Sequence, residues 1–530
     1  MNDTPTSSAE DTRPFLRFCW QWLLLRPCSW TRAAIIMISA LTLFRFFYAP
    51  TLELVADEAY YWLWSKNLDM CYYSKGPGVA WTIAAGTWLW GDSVFGIRFF
   101  AVLLSAGTGY WLFRLGTKLF DARTGFWALV VAALIPLYSV GSILMTIDPL
   151  SLFFWVLSAY SFWWAKDQDR LAPWLLTGLW VGLGMLCKYT NVALIISFAL
   201  FCLWSAPHRR QLMRPMFWLM TAVSFLSLLP VALWNARHGW VTLRHLQERG
   251  RLTEEDPFRF RINELTQFIT EQALVISPLL LVCFVTAAIL ILKGIVRAKQ
   301  PDEDSVNALT LPVWKFLLTL FLPLPVFYFV LSINEAGEAN WPAPAYLGGA
   351  LLLAGFTLNR AGTRFKRLVQ AALILALVQT VLFHFSSLIP LHKWGIADPM
   401  DRVRGHHDLA RNVSALQQQY GAAFIIARKY QTASLLSYYL PDQQHVYFPS
   451  SDRVENQFSF WPGYSEMMPN EFSALFVCEG KAEPRPSIYK EFSSVHLIRE
   501  FYTTYRGRNV QLYRVFYLDN YLGPIAPEKP

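Results

Sequence analysis

Long apolar runs, separated by short polar segments, are the dominant pattern along the chain. A run of about 20 apolar residues is long enough to cross the hydrocarbon of a bilayer as a helix. The pattern predicts eleven such spans, near residues 33–50, 95–113, 124–142, 149–165, 173–187, 191–206, 216–234, 273–292, 313–333, 342–358 and 368–386. A shorter apolar stretch at 78–91 is interpreted as a further short or re-entrant segment. The sequence therefore predicts a polytopic α-helical membrane protein.

Lysine and arginine are distributed unevenly between the predicted connections. Cytoplasmic connections of membrane proteins are enriched in both residues. If the N-terminus is cytoplasmic, the cytoplasmic connections carry Arg114, Lys118 and Arg123; Lys166 and Arg170; Arg209, Arg210 and Arg214; Lys293, Arg297 and Lys299; and Arg360, Arg364, Lys366 and Arg367. The external connections 143–148 and 334–341 contain neither residue. We therefore predict a cytoplasmic tail at 1–32, no cleavable signal peptide, and an external C-terminus.

The composition changes after Ser387. Residues 388–530 lack a spanning run and contain strand-like segments at 422–427, 445–449, 474–478 and 510–518, with a helix-like segment at 431–440. About 140 residues are enough for a domain with its own core. The predicted organisation is a membrane domain at 33–387, with external loops 51–94 and 235–272, followed by an external α/β domain at 388–530.

Composition supports this interpretation and excludes others. Hydrophobic residues make up 54% of the chain and charged residues 16%, with a mean hydropathy of +0.30. The net charge of +9 follows the predicted membrane topology, so no nucleic-acid partner is predicted. Seven cysteines without Cys-x-x-Cys spacing predict neither a zinc site nor a disulfide framework. No cofactor is assigned, and a divalent metal is left open because the nine histidines have no ligand-like spacing with the acids.

Three acids on the predicted external face are candidates for chemistry, because a charge near hydrocarbon is costly. Asp57 and Glu58 lie in "LVADEAYYWLWSKNL" (54–68), and Asp148 ends the next external connection. Each also has a structural interpretation. Asp57 suits the N-cap of a short interfacial helix, with Glu58 about 100° away on the helix. Asp148, followed by Pro149, suits the N-cap of a span.

Basic residues form a second group on the same face. Lys75 follows the acid pair, Lys188 lies at a turn between two spans, and the loop 235–272 contains Arg237 and Arg244. Lysines near a membrane can extend towards lipid headgroups, and the loop arginines are balanced by neighbouring acids, so neither group needs a functional explanation. What favours function is that acids and lysines converge on one side of the predicted bundle.

This combination indicates a reaction class. A carboxylate can accept a proton from a hydroxyl nucleophile. Lysine can hold a phosphate as a point charge. Together they are typical of group transfer with a phosphate leaving group at a membrane surface.

Four motifs in order resemble a known family. "ADEAYYWLWSKNLDMCYYSKGPGVAW", "MTIDPLSLFFW", "GMLCKYTNVAL" and "ANWPAPAYL" are similar to segments of bacterial glycosyltransferase family 39. These are integral membrane enzymes of the GT-C class, related to protein O-mannosyltransferases and the lipid A aminoarabinose transferase. The similarity covers roughly residues 30–390. It implies a GT-C type fold in the bacterial inner membrane, with the C-terminal domain in the periplasm.

The resemblance also implies substrates and partners. The expected donor is a polyprenyl phosphate sugar, usually on undecaprenyl phosphate, bound in contact with membrane lipids. The expected acceptor is lipid A, another envelope glycan or a protein, and transfer inverts the anomeric carbon. Two other classes stay open: a transporter or flippase of a lipid-linked sugar, and a polysaccharide ligase or polymerase.

The resemblance assigns expected roles to individual residues. Asp57 matches the acid treated as catalytic, Glu58 its usual neighbour and Asp148 the second acid. Lys75 matches a lysine that contacts the donor phosphate in the aminoarabinose transferase, and Lys188 matches a basic position facing the same cavity. One loop arginine (Arg237, Arg244 or Arg249) is expected to join the phosphate site.

The chain departs from the family at one loop. Ser74 stands where the aminoarabinose transferase has a glutamate, and Lys75-Gly76-Pro77 stands where other members have a His-Pro-Pro type motif. A metal site of the family type is therefore not expected at this loop. The aromatics beside Asp57 are expected to close the pocket against lipid. The segment 455–464 is interpreted either as a glycan contact or as part of the domain core or of a hairpin.

Overall fold

The computed structural model describes residues 27–251, 259–297, 305–386, 398–451 and 453–524. Most of the predicted tail at 1–32 and the predicted domain boundary at 387–388 lie outside these residues.

Helices dominate the first three quarters of the chain. They are α1 Pro27–Tyr48, α2 Ala56–Lys66, α3 Gly78–Trp90, α4 Val94–Leu119, α5 Ala122–Leu134, α6 Pro136–Gly141, α7 Ile147–Ala165, α8 Leu171–Cys187, α9 Ala193–Trp204, α10 Pro215–Leu226, α11 Leu229–Arg237, α12 Val241–Arg249, α13 Ile262–Ile276, α14 Pro278–Arg297, α15 Ser305–Phe321, α16 Pro323–Leu331, α17 Ala345–Asn359 and α18 Thr363–His384. Each predicted apolar run coincides with one or two of these helices.

Several apolar runs are divided by proline. The run predicted at 124–142 becomes α5 and α6, with Pro136 as the first residue of α6. Pro323 likewise begins α16 directly after α15. A proline removes a backbone donor and clashes with the preceding turn, which explains these breaks. The stretch predicted at 78–91 forms the 13-residue helix α3.

Five helices of the described residues are long and apolar enough to cross a membrane: Ser29–Thr51, Val94–Leu119, Pro278–Val296, Leu311–Leu331 and Thr363–His384. The bent pair α10 and α11, with an angle of 41° between them, makes a sixth if it counts as one span. Four further apolar helices have 10–17 residues. The count of eleven spans stays a prediction.

The C-terminal α/β unit (residues 398–451 and 453–524) contains a four-stranded sheet of β1 Phe424–Ala427, β2 Ala474–Glu479, β3 Phe492–Tyr505 and β4 Arg508–Tyr521 in the order β1-β2-β4-β3. The first pair is parallel and the others are antiparallel. The helices of this unit are α19 His406–Tyr420, α20 Tyr430–Tyr439, α21 Tyr464–Met467 and α22 Ile488–Glu491. The mixed sheet confirms the predicted α/β content.

Two details of this unit differ from the prediction. The segment 445–449 is not a ladder strand but makes a single bridge between Tyr447 and Ile426. The strand β3 was not predicted; its side chains are mostly partly exposed, so it lacks the apolar alternation of a half-buried strand.

One hydrophobic core joins the C-terminal α/β unit to the segment 51–94. It includes Leu54 and Trp64 before and within α2, Leu435 in α20 and Leu475 in β2. A separate and larger core fills the space between the membrane helices. The acid-bearing helix α2 therefore lies between the helical bundle and the C-terminal unit.

Candidate active site

The two adjacent acids occupy the first turn of α2 but have different environments. Val55, not Asp57, is the N-cap residue, and the Glu58 side chain accepts a hydrogen bond from the Val55 N–H at 3.1 Å. The predicted capping role of Asp57 is therefore wrong; Glu58 performs it from the third position of the helix. Asp57 lies one residue earlier and its side chain is exposed.

Glu58 is fully buried and paired with Arg98 of α4. The Arg98 Nε and a second guanidinium nitrogen donate to the two carboxylate oxygens at 2.8 and 2.5 Å. The Met145 N–H donates to the same carboxylate at 2.8 Å. With the bond from Val55, four donors satisfy this carboxylate, which leaves it little capacity to bind a substrate.

Asp57 differs from Glu58 because its carboxylate has no partner among the described residues. Among the described residues, its carboxylate accepts no hydrogen bond and forms no ion pair. The surrounding protein displaces bulk water and raises the pKa of Asp57, while the charge of Lys75 opposes this shift. Glu338 adds to the rise and Arg402 of the C-terminal unit opposes it. Asp57 is thus an accessible, unpaired acid, and Lys75, Glu338 and Arg402 are near enough for their charges to act on it. The space between these residues is called the cleft below.

Lys75 faces the same cleft from a tight turn. Its carbonyl accepts a hydrogen bond from the Tyr72 N–H at 3.0 Å. Gly76 holds the turn against α8, since a Cβ at Gly76 would lie 2.2 Å from the Leu186 carbonyl oxygen. Only glycine permits this approach. The partly buried Lys75 side chain has no hydrogen-bond or ion-pair partner among the described residues.

The surroundings of Lys75 destabilise its charged form. Burial, together with the cations Lys188 and Arg249, lowers the pKa of Lys75 to about 8, against the opposing effect of Asp57. His245 of α12 is close enough for burial, Lys75 and Arg249 together to lower its pKa to about 4. This corner of the site is therefore electropositive, and a bound anion would stabilise the charged form of Lys75.

Asp148 and Lys188 are paired with each other. The Lys188 Nζ lies 2.7 Å from one oxygen of Asp148 and donates to the Asn340 carbonyl at 3.0 Å. The Asn340 side-chain amide donates to the other Asp148 oxygen at 2.5 Å. The prediction that Asp148 is the N-cap of α7 is wrong. Thr146 is the N-cap, and its hydroxyl accepts a hydrogen bond from the Asp148 N–H at 3.3 Å. Three distant segments of the chain therefore meet at this triad.

The loop arginines are divided between the cleft and solvent. The side chains of Arg237 and Arg244 are exposed and make no hydrogen bond or ion pair with another described residue. Arg249 instead pairs with Glu338 at 2.6 Å and lies 5.7 Å above the Trp341 ring. Its charge reaches Lys75, so Arg249 is the loop arginine associated with the cleft.

The aromatic residues of α2 face protein. Trp62 makes an edge contact with Tyr438 of α20 at 5.1 Å, and Tyr60 packs on Tyr430 at 4.6 Å. The prediction that they close the pocket against lipid is wrong, because the C-terminal α/β unit covers them. Gln457 shares this interface: its N–H donates to the Tyr60 hydroxyl at 2.7 Å.

The buried Phe458 packs next to Gln457 in the same core. The core interpretation of 455–464 is thus correct for these two residues.

Sequence reasoning missed Arg98 and Asn340. Arg98 is a lone arginine within an apolar run, which is itself a signal of a buried partner. Asn340 lies in the motif "ANWPAPAYL", but an asparagine carries no charge, so it was not predicted as a site residue. No group of three or more histidine, cysteine, aspartate or glutamate side chains in the described part of the chain is placed to hold a metal ion.

Residues 74–234 match the family described as dolichyl-phosphate-mannose-protein mannosyltransferase. The chain is 22% identical over 470 residues to the lipid A galacturonosyltransferase RgtD of Rhizobium johnstonii, covering 87% of this chain and 93% of that protein. It is 25% identical to the undecaprenyl phosphate-alpha-4-amino-4-deoxy-L-arabinose arabinosyl transferase of Erwinia tasmaniensis, over 63% of this chain and 58% of that protein.

Solved structures share the fold. ArnT from Cupriavidus metallidurans bound to undecaprenyl phosphate superposes with a TM-score of 0.57 at 13% identity, covering 91% of this chain and 97% of that one. An oligosaccharyltransferase from Archaeoglobus fulgidus gives 0.50 at 12% identity, covering 84% and 68%. The predicted resemblance is confirmed: the chain has the GT-C type membrane fold of these structures, and its residues 74–234 match the dolichyl-phosphate-mannose-protein mannosyltransferase family.

Proposed function

We propose that this protein is an integral glycosyltransferase of the bacterial inner membrane. It moves a sugar from a polyprenyl phosphate donor, such as an undecaprenyl phosphate sugar, to an envelope acceptor, with lipid A favoured because the relatives named above act on it or on undecaprenyl phosphate sugars. The N-terminus is cytoplasmic, the C-terminal α/β unit is periplasmic, and transfer takes place on the periplasmic face with inversion.

The observation that carries this proposal is an unpaired acid and an unpaired lysine facing one cleft. Charges that the surrounding protein deprives of bulk water are normally paired, because an uncompensated charge is costly. Asp57 and Lys75 have no direct partner among the described residues, whereas the neighbouring Glu58, Asp148 and Lys188 are all paired. A structural role does not explain this exception, but a site that awaits substrates does.

Lys75 binds the donor phosphate. An ammonium already opposed by Lys188 and Arg249 gains most from an anion, which would restore its pKa towards the ordinary value. Arg249 is the second phosphate ligand, in place of the predicted Arg237 and Arg244, because its charge helps to lower the pKa of Lys75, whereas the side chains of Arg237 and Arg244 are exposed. Its partner Glu338 is exposed, so the ion pair can open at low cost.

Asp57 acts on the acceptor. An acceptor hydroxyl attacks the anomeric carbon, the bond from that carbon to the phosphate oxygen breaks, and the oxygen leaves with the electron pair. The hydroxyl proton passes to Asp57, whose raised pKa brings it closer to the working pH of a base. Lys75 and Arg249 stabilise the negative charge on the departing phosphate. An ionised acceptor phosphate would need no proton transfer, and Asp57 would then orient it.

Glu58, Asp148 and Lys188 are positioning residues in this proposal. The Glu58–Arg98 pair holds the first turn of α2, and therefore Asp57, against α4. The Asp148–Lys188–Asn340 triad joins α7, the end of α8 and the segment before α17. Lys188 still contributes to the field at Lys75, but its ammonium is already neutralised by Asp148.

The test uses purified protein in detergent, a polyprenyl phosphate sugar and lipid A, with product detected by mass spectrometry. Asp57→Asn keeps the shape of the side chain and removes the base, so we expect transfer to a hydroxyl to fall by about 10²–10⁴-fold. Asp169→Asn is the matched control, since Asp169 is 86% exposed and pairs with the 44% exposed Arg214 on the surface. A well-folded Asp57→Asn protein with wild-type turnover would refute the role of Asp57.

The same protein in liposomes distinguishes the transport alternative. Movement of the lipid-linked sugar between leaflets without any glycosylated product would replace the transferase proposal with a flippase. Product formation in detergent, where no membrane separates two compartments, supports the transferase.

A further inference from the structure

A short segment of the C-terminal α/β unit packs against both α2 and the tight turn at Lys75, called the Lys75 turn below. The segment is the single 3₁₀ turn Gln457–Phe460. The Asn456 side chain caps it by accepting a hydrogen bond from the Phe458 N–H at 2.9 Å. The first N–H groups of a helical turn have no partner within the turn. Gln457, as its first residue, therefore has an N–H that is free to bond elsewhere.

Gln457 makes two hydrogen bonds that lead to different parts of the proposed site. Its N–H donates to the Tyr60 hydroxyl at 2.7 Å, and Tyr60 lies about one turn after Asp57 in α2. Its side-chain oxygen accepts from the Tyr73 N–H at 2.7 Å, and Tyr73 lies two residues before Lys75. One residue of the C-terminal unit is thus bonded to the helix that carries the acid and to the turn that carries the lysine.

Both hydrogen bonds lie in the protein interior, where Gln457, Tyr60 and Tyr73 are all buried. A buried backbone N–H without a partner is costly, and Gln457 supplies the partner of the Tyr73 N–H. Phe458 holds Tyr60 as well, because their rings stack with centroids 6.0 Å apart. These contacts restrict the positions that α2 and the Lys75 turn can adopt relative to each other.

Other hydrogen bonds across this interface fix a single point each. The Tyr439 hydroxyl accepts from the Leu54 N–H at 2.6 Å, and the Gln443 side chain donates to the Asp92 carbonyl at 3.4 Å. Among the hydrogen bonds described between the C-terminal unit and the segment 51–94, only those of Gln457 reach both α2 and the Lys75 turn.

The far end of the same 3₁₀ turn contacts the loop that carries the basic residues. Phe460 packs edge-on against the Trp234 ring of α11, with centroids 5.4 Å apart. The Trp234 indole N–H donates in turn to the Asp69 side chain at 2.7 Å, on the chain segment that leads to the Lys75 turn. α11 is followed by α12, which carries Arg249. The segment therefore braces the site on two sides.

We propose that Gln457 is a positioning residue for the transfer reaction: it fixes the Lys75 turn relative to α2 and so sets the distance between the acid and the lysine. The inference rests on the proposed function, in which Asp57 acts on the acceptor and Lys75 on the donor phosphate. It gives the C-terminal unit a part in the reaction that needs no contact with substrate. A displacement of about 1 Å at a reaction centre can cost about 100-fold in rate, so such a contact has a measurable effect.

The test compares the same substitution at two glutamines of this interface. Gln457→Met keeps the length of the side chain and removes the acceptor of the Tyr73 N–H, while the backbone bond to Tyr60 stays. Because this releases the Lys75 turn, we expect the Kd for undecaprenyl phosphate, measured by native mass spectrometry in detergent, to rise about tenfold or more. Gln443→Met is the matched control, because Asp92 is not part of the proposed site, and it should leave this Kd unchanged.

Two further variants distinguish positioning from stability. Gln457→Glu keeps an acceptor oxygen in either protonation state, so it should bind undecaprenyl phosphate more tightly than Gln457→Met does. Tyr60→Phe removes the bond on the α2 side, so we expect kcat for transfer to a hydroxyl acceptor to fall while the Kd for undecaprenyl phosphate stays. A purely structural role would lower the folded fraction of each variant and leave the Kd and kcat of the folded protein unchanged.

Two results would overturn the inference. One is a folded Gln457→Met protein with the wild-type Kd; the other is an equal loss in Gln443→Met, which would indicate weakened docking in general. If Gln457→Met does not fold, Tyr60→Phe decides, and an unchanged kcat in that variant overturns the inference. The binding measurement uses no sugar and no acceptor, so a wild-type protein that binds undecaprenyl phosphate but transfers no sugar would refute the transferase alone.

Discussion

Replacement of Arg98 by methionine tests whether the buried ion pair holds the reaction centre in place. Arg98 makes five hydrogen bonds: two to the Glu58 carboxylate and three to the carbonyls of Ala49, Leu52 and Glu53. Both charged side chains are at most 1% exposed. In Arg98→Met, Glu58 keeps only the N–H donors of Val55 and Met145 and becomes a buried charge without a counter-ion.

The expected loss of folding free energy follows from this geometry. Removal of one partner from a buried ion pair costs about 3–5 kcal/mol, because the other charge is left uncompensated. The double variant Arg98→Met with Glu58→Leu removes both charges, so we expect it to be more stable than Arg98→Met alone. The coupling between the two positions should therefore exceed about 1 kcal/mol.

The assay is unfolding in detergent micelles, followed by the fluorescence of the 23 tryptophans, together with transfer activity of the folded fraction. Arg114→Met is the control, because Arg114 is exposed and donates a hydrogen bond to the Tyr110 hydroxyl of the same helix. Its cost should stay within about 0.5 kcal/mol. If Arg98→Met is equally mild, or if the double variant loses the sum of the two single effects, the pair does not organise α2.

Two further predictions concern the cleft. Lys75→Gln should raise the KM for the polyprenyl phosphate donor about tenfold or more. Lys66→Gln is the control, because Lys66 forms a surface ion pair with Asp92, and it should leave this KM unchanged. Equal donor KM values in both variants would show that Lys75 is not part of the phosphate site. The pH profile of kcat/KM with a hydroxyl acceptor should fall on the alkaline side as Lys75 loses its proton through about pH 8. It should fall on the acid side above the usual aspartate range, because desolvation by the surrounding protein raises the pKa of Asp57 and only the ionised form of Asp57 is a base. An acid limb that survives unchanged in Asp57→Asn would assign it to another group.

The sequence was informative where the physics is local. Apolar runs predicted the helices, because about 20 apolar residues have few alternatives to a helix at membrane depth. Strands β1, β2 and β4 were recognisable from their apolar content. β3 was not, because one side of this edge strand faces solvent and its pattern is mixed.

Pairing between distant residues was beyond the sequence. Nothing in the local pattern indicates that Lys188 would choose Asp148, or that Asn340 would complete the triad across 192 residues of chain from Asp148. The packing partners of the aromatic residues of α2 could not be predicted from the sequence either. Trp62 and Tyr60 have the composition of a membrane interface, yet the fold places them under Tyr438 and Tyr430 of the C-terminal unit.

The environments of Asp57 and Glu58 depend both on local helix geometry and on pairing with a distant residue. Neighbouring residues on a helix point about 100° apart, so Asp57 and Glu58 could never share one environment. One of them had to turn inward, and a buried carboxylate requires a cation and several donors. Arg98 meets that requirement from within an apolar helix, which fixes the orientation of α2. The cost of burying Glu58 is therefore what presents Asp57 to the cleft, unpaired and opposite Lys75.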